Sequence, residues 1–193
     1  MSDEQKWEAF KAGDREVFEQ IFRAHIKVLY KYGSRFTSNA PLVEDCIQDL
    51  FIDLWQKKNT LGSTDSIKRY LLGALRRRII RKLARHAPED SPLEEDRYNF
   101  ELVLNIEDEL IAEEQNSSQQ STLNSAILQL SKRQREVVYL KYFQHLSYEE
   151  IAEVMHISYQ AARNLVYQTL KALKQHIHSL KALLISLILN FII

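Results

Sequence analysis

Cysteine, glycine and proline are nearly missing from this chain, and each shortage excludes something. The single cysteine, Cys46, has no partner for an internal disulfide, and a reducing cytoplasm is the default expectation. No Cys/His spacing matches a structural zinc site. Four glycines and three prolines in 193 residues are too few for the turns of a β protein, so the scarcity argues for helices. The six histidines form no H-E-x-x-H pair and no triad grouping, and no phosphate-cradling glycine loop is present. No catalytic residue, metal ligand, cofactor or small-molecule substrate is therefore expected. The first ten residues carry Asp3 and Glu4 and no apolar run, which is unlike a secretory signal.

What is present is charge segregated along the chain. The formal net charge is zero, yet residues 1–85 hold 17 Lys/Arg against 11 Asp/Glu. Residues 86–125 hold 1 against 11, and residues 126–193 hold 8 against 4. Two basic blocks joined by an acidic strap point to a polyanionic partner, with a strap that can shield the blocks or mimic a nucleic acid. Apolar residues make up 45%, enough for a packed core.

Periodicity divides the chain into a helical block 1–85, an acidic linker 86–122, a second helical block 123–178 and an apolar tail 179–193. A short helix is expected at Trp7–Ala12. Asp14 caps a second, with Val17, Phe18, Ile21, Phe22, Ile26 and Leu29 on its apolar face. Pro41 opens a third that runs to about Gln56 and buries Val43, Ile47, Leu50, Phe51 and Leu54. Asn59 to Asp65 reads as a loop, and Ser66 to Arg85 as a long fourth helix. In the second block, Ser131 with Gln134 and Ser147 with Glu150 read as capping boxes. A helix Tyr148–Met155, a turn at His156-Ile157 and a helix from Ser158 make a helix-turn-helix.

The fourth helix carries the strongest functional signal. Lys68, Arg69, Arg76, Arg77, Arg78, Arg81, Lys82 and Arg85 are basic, and between Lys68 and Arg85 nothing is acidic. Leu71, Leu75, Ile79 and Leu83 form one stripe, and Arg77, Arg81 and Arg85 stand about 200° away from it at 100° per residue. A solvated helix face usually mixes signs. An aligned, all-basic face suits phosphate oxygens, which guanidinium forks bind bidentately. On the third helix Asp45, Gln48, Asp49 and Asp53 lie off the core stripe. Alone they fit ordinary solvation or a docking face for a basic protein.

At this point the residues resemble a known family. Val43-Glu44-Asp45-Cys46-Ile47-Gln48-Asp49-Leu50-Phe51-Ile52-Asp53-Leu54-Trp55 is similar to a helix of bacterial sigma factors. So are Leu130 to Val138, Tyr142-Phe143 and Leu146 to Glu153. The resemblance spans about Phe18 to Lys174. It implies an all-α protein of two small helical domains, the second and fourth sigma regions without the third, as in the extracytoplasmic-function group.

Partners and sites follow from that resemblance. Core RNA polymerase would be bound through Asp45, Gln48, Asp49, Phe51 and Asp53. The −10 element of promoter DNA would meet Asn59, Ser63, Thr64, Asp65, Lys68, Arg69, Tyr70, Arg76, Arg77, Arg78, Arg81, Lys82 and Arg85, the loop holding a flipped base. The −35 element would meet Ser158, Tyr159, Gln160, Arg163, Asn164, Tyr167 and Lys171. An anti-sigma factor or another recruiting protein is a further partner in this scheme, and any membrane contact is indirect.

The sequence departs from the family pattern at Arg77 and Arg81, where Asn and Asp are usual, at His156 in place of Gly, and at Leu165 and Gln168 in place of Arg. The thinner recognition helix leaves a second reading open, a sigma-like interaction module recruited to DNA by another complex. The tail, Leu180 to Ile193, is apolar nearly all round. As a helix it is roughly 21 Å long, short of a ~30 Å bilayer core, so burial against protein is expected.

Overall fold

The computed structural model describes residues 1–85, 98–103 and 117–192, the side chains at 117–120 and 178–192 excepted. No strand occurs among the described residues. The chain forms two compact units, residues 1–99 with 149–158, and residues 100–148 with 159–193.

In the first unit, α1 (Asp3–Lys11), α2 (Arg15–Gly33), α3 (Ala40–Gln56) and α4 (Ile67–Arg85) follow one another. Each start is fixed locally. Ser2 and Gln5 form a capping box on α1, Asp14 accepts from the Val17 N–H, and Asn39 accepts from the Leu42 N–H just ahead of Pro41. Gly13 ends α1 at φ 96°, where the Asp14 and Gly13 N–H groups return to Ala9 and Phe10. A side chain with a Cβ would be strained there.

The core follows the expected faces, save that Phe22 of α2 is 38% exposed and Phe18 and Ile26 are half-buried at its edge. Val17, Ile21 and Leu29 of α2 meet Val43, Ile47, Leu50 and Leu54 of α3, and Leu71, Leu75 and Ile79 of α4, all buried. Trp7 and Phe10 of α1 are fully buried as well. Phe10, Phe18, Phe51, Trp55 and Phe22 form a chain of ring contacts at 4.9–6.4 Å. Each such pair adds about 0.5–1.5 kcal/mol beyond its buried area. Gly33 of α2 packs against both α3 and α4, and a Cβ built there would sit 2.6 Å from Val43 Cγ1 and 3.2 Å from Ile79 Cδ1.

The second unit holds α5 (Ser117–Leu128), α6 (Lys132–Val138) continued by a π-helical turn at Tyr139–Phe143, and α8 (Tyr159–Ile192). The Ser131–Gln134 capping box forms as read. Ala126, Ile127, Leu130, Val137, Leu140, Ala162 and Val166 make its core. Helix α5 begins at Ser117, inside the stretch read as linker, so the polar run ending at Gln120 is partly helical. Its Ser and Gln side chains lack an apolar period, which hid the helix from the pattern.

The acidic strap is also anchored. Tyr98, Phe100 and Leu102 are buried while Asn99, Glu101 and Val103 are exposed, an alternation of period two. Tyr98 packs on Phe36 in the first unit, and Phe100 lies 5.9 Å from Tyr139 in the second. The tail is helical to Ile192 as a continuation of α8. The expectation that its side chains are buried falls outside the described residues. Among the described residues no helix is long and apolar enough to cross a membrane.

Candidate nucleic-acid interface

The basic helix is built as its spacing required, with one exception. Arg77, Arg81 and Arg85 are exposed, opposite buried Leu71, Leu75 and Ile79. Arg76 is 4% exposed and packs on Tyr98, its guanidinium 5.5 Å from the ring and 3.5 Å from the phenol oxygen. It is therefore corrected from a DNA contact to a core cation held by an aromatic face. The correction has a physical source: Leu72, Arg76 and Ile80 form a second buried strip beside Leu71, Leu75 and Ile79, and its middle position carries a charge that reads as surface in sequence.

Other basic side chains of α4 are engaged within the first unit. Arg78 is ion-paired to Asp53. Its hydrogen bond, opposed by burial, holds the Asp53 carboxyl below the usual carboxylate range. Lys82 Nζ lies 3.6 Å from both Asp45 and Asp49. Arg69 pairs with Asp65 at 2.6 Å and with Glu153 at 2.8 Å, and Arg77 bonds the His156 ring. Burial, then Arg77 and Arg76, push the His156 imidazole down, so the neutral ring that accepts from Arg77 is favoured. Burial also lowers the Lys68 ammonium, with Glu150 opposing, and raises the Tyr70 phenol against Arg77 and Arg78.

Between the end of α3 and the middle of α4 lies a cleft of about 230 Å³, lined by Asp53, Lys57, Leu61, Tyr70, Arg77, Arg78 and Arg81 among others. It brings together Tyr70 and three of the arginines singled out from sequence. Lys57 and Leu61 line it too and were missed, because neither belongs to a periodic pattern. The loop before α4 starts as a 3₁₀ turn, Lys58–Thr60. Asn59, Ser63 and Asp65 are exposed. Thr64 is 7% exposed, and its hydroxyl donates to the Ser66 carbonyl. It is thus corrected from a surface contact to a brace of the loop.

On α3, Asp45, Gln48 and Asp49 are exposed and adjacent, as a docking face requires. Phe51 is 5% exposed, in ring contact with Phe18 and Phe22. It is corrected from a surface contact to a support beneath that face. In the turn after α7 (Tyr148–Met155), His156 has φ 54°. The His156 and Ile157 N–H groups return to Glu153 and Ala152, closing the helix in the manner glycine usually serves. Ser158, Tyr159, Gln160, Arg163, Asn164, Tyr167 and Lys171 are all exposed. No group of three or more potential metal ligands occurs among the described residues.

The fold and these faces define a helical DNA-binding protein carrying a helix-turn-helix. Residues 21–89 match the family model for Sigma-70 region 2, and residues 121–173 that for Sigma-70, region 4. The chain is similar to the ECF RNA polymerase sigma factor SigL of Mycobacterium tuberculosis, 23% identical over 170 residues, 84% of this chain and 90% of that one. Two solved structures share its fold. CnrH, solved in complex with the cytosolic domain of CnrY, gives a TM-score of 0.58 at 17% identity, covering 92% of this chain and 97% of that one. RpoE from Bartonella quintana, solved with the anti-sigma factor NepR, gives 0.57 at 22%, covering 83% and 96%. The chain belongs to the sigma-70 family, as a sigma factor of the extracytoplasmic-function type. The members of that family are transcription initiation factors, and the partners of this chain are core RNA polymerase and promoter DNA.

Proposed function

We propose that three surfaces divide the work of initiation. Asp45, Gln48 and Asp49 on α3 dock on the polymerase clamp helices. The cleft beside α4, with Arg77, Arg81 and Arg85, takes the −10 strand while the Asn59–Asp65 loop receives an unstacked base. The exposed side of α8 from Tyr159 to Lys171 reads the −35 element. Unstacking a base costs a few kcal/mol, so a receiving pocket with aligned cations is required. The single observation that carries the proposal is the aligned, exposed arginine row beside a cleft roomy enough for a base.

Arg69 and Arg77 are held by Glu153 and His156, so DNA must replace those partners. Replacing a neutral imidazole by a phosphate is favourable for a guanidinium. An anti-sigma partner belongs to the same proposal, supported by the complexes in which CnrH and RpoE were solved.

Reconstitution with core polymerase tests the assignment. Promoter-specific run-off transcripts, with permanganate-reactive thymines at the −10 element, are the expected result. Transcription that requires an additional DNA-bound protein would favour the recruited-module reading instead.

A further inference from the structure

Helix α1 lies outside the stretch that matches Sigma-70 region 2, yet it makes two long-range hydrogen bonds to the segment between the 3₁₀ turn and α4. The Trp7 indole Nε1 donates to the Gly62 carbonyl at 2.8 Å. Asp3 Oδ2 accepts from the Ile67 N–H at 3.0 Å, at the first residue of α4. That N–H is one of the donors that a helix start leaves unmatched, and a carboxylate there is also favoured by the helix dipole. The Trp7 ring is fully buried, 4.9 Å from Tyr70 and 5.2 Å from Phe10. Tyr70 in turn lines the cleft. So α1 grips the segment at both ends, Gly62 and Ile67, and leaves Ser63 and Asp65 exposed between the grips.

A loop that captures an unstacked base loses affinity if it must order itself at that moment. We infer that Asp3 and Trp7 are positioning residues, which hold the Gly62–Ile67 segment in the shape in which it receives the base and so set the discrimination among bases at that position. This rests on the assignment of the loop as the base-receiving element. Neither residue touches DNA in this scheme. They act through the backbone of the loop and the start of α4.

The test uses full-length protein in holoenzyme with core polymerase, on fork-junction promoters carrying each of the four bases unpaired at the −10 position read by the loop. Trp7→Phe keeps a ring against Tyr70 and Phe10 and removes only the donor. Asp3→Ala removes the acceptor, and Asp3→Asn restores a neutral one. The readout is the affinity ratio between preferred and disfavoured bases, with loop-amide hydrogen exchange and thermal unfolding measured alongside.

Trp7→Phe and Asp3→Ala should each shrink the base ratio by about 3- to 10-fold, the scale of one hydrogen bond. The Ile67 amide should exchange faster in Asp3→Ala, polymerase affinity should hold, and Asp3→Asn should recover most of the ratio. An unchanged ratio in folded Asp3→Ala overturns the inference. So does a uniform loss across all four bases that tracks the fall in melting temperature, which marks a merely structural role. A Ser63→Ala/Asp65→Ala loop variant separates the two levels. If it alters the base ratio while the α1 variants do not, only the positioning role falls. If it too leaves the ratio untouched, the loop assignment falls and takes the inference with it.

Discussion

Removing the exposed arginine row of α4 should change how promoter binding responds to salt, and removing the buried arginine should not. The perturbation is Arg77→Ala/Arg81→Ala/Arg85→Ala, set against Arg76→Ala alone. Each phosphate contact contributes about 0.7 on single strands to about 0.9 on duplex to the slope of log affinity against log salt. Three contacts therefore lower the slope by about 2.1–2.7. Between 50 and 200 mM salt, a fourfold range, the wild-type holoenzyme should lose about 20- to 40-fold more affinity than the triple variant. Arg76 makes its contacts with Tyr98 inside the first unit. Its replacement should lower the melting temperature and leave the slope near the wild-type value. The assay is equilibrium binding of a fluorescent promoter duplex by holoenzyme across a salt series. A folded triple variant with an unchanged slope refutes the phosphate-contact argument. Equal slopes for Arg76→Ala and the triple variant refute the division into buried and exposed arginines.

Charge reversal of Asp45, Gln48 and Asp49 to Lys should abolish co-purification with core polymerase while circular dichroism stays helical; retained binding would remove the docking assignment. Gly33→Ala should destabilise, because overpacking costs about 1–3 kcal/mol against at most about 1 kcal/mol gained in helix propensity. A melting temperature equal to or above wild type would show that Val43 gives way freely. Asp53 has its folded carboxyl pKa depressed by Arg78, so its stabilisation is present above the unfolded value near 3.9 and is lost as pH falls through the folded one. Thermal unfolding of wild type against Asp53→Asn should differ at pH 6 and converge as pH drops below about 4. A gap that persists in acid would mean the side chain acts by packing. Cys46 is fully buried and its thiol is pushed up chiefly by that burial, so a thiol reagent at pH 7.5 should label it only on unfolding. Rapid labelling of native protein would contradict its place in the core.

Helix positions were legible because they rest on local rules. The Asp14 cap, Pro41 in a first turn and the Ser131–Gln134 box each act within one turn of helix. The aligned arginines were legible for a related reason, since a period of four fixes one face. What escaped depends on contacts distant in sequence. Arg76 is buried by Tyr98, 22 residues on. Trp7 meets Gly62 across 55 residues, and the only forewarning was that a buried indole N–H needs an acceptor. Within the acidic stretch the apolar piece from Phe100 was legible as one that docks, but its ring contact with Tyr139, 39 residues on, was not. Phe51 was misjudged because one residue was asked both to fill a core and to meet a partner.

The length of α8 carries a consequence for the tail. From Tyr159 to Ile192 the helix is uninterrupted, about 51 Å at 1.5 Å per residue, with neither glycine nor proline to bend it. A step of 18 residues is five full turns and returns to the same angle at 3.6 residues per turn. Positions 162, 166 and 169, which are buried on the inner side of α8, therefore share their bearing with 180, 184 and 187, all leucine. Positions 163 and 167, exposed on its outer side, share theirs with 181 and 185. The helix thus keeps one azimuth from its start at Tyr159 to its end at Ile192. A constraint on the backbone at the far end of α8 therefore also fixes the compass heading of Arg163 and Asn164, 17 and 16 residues before position 180, without touching either.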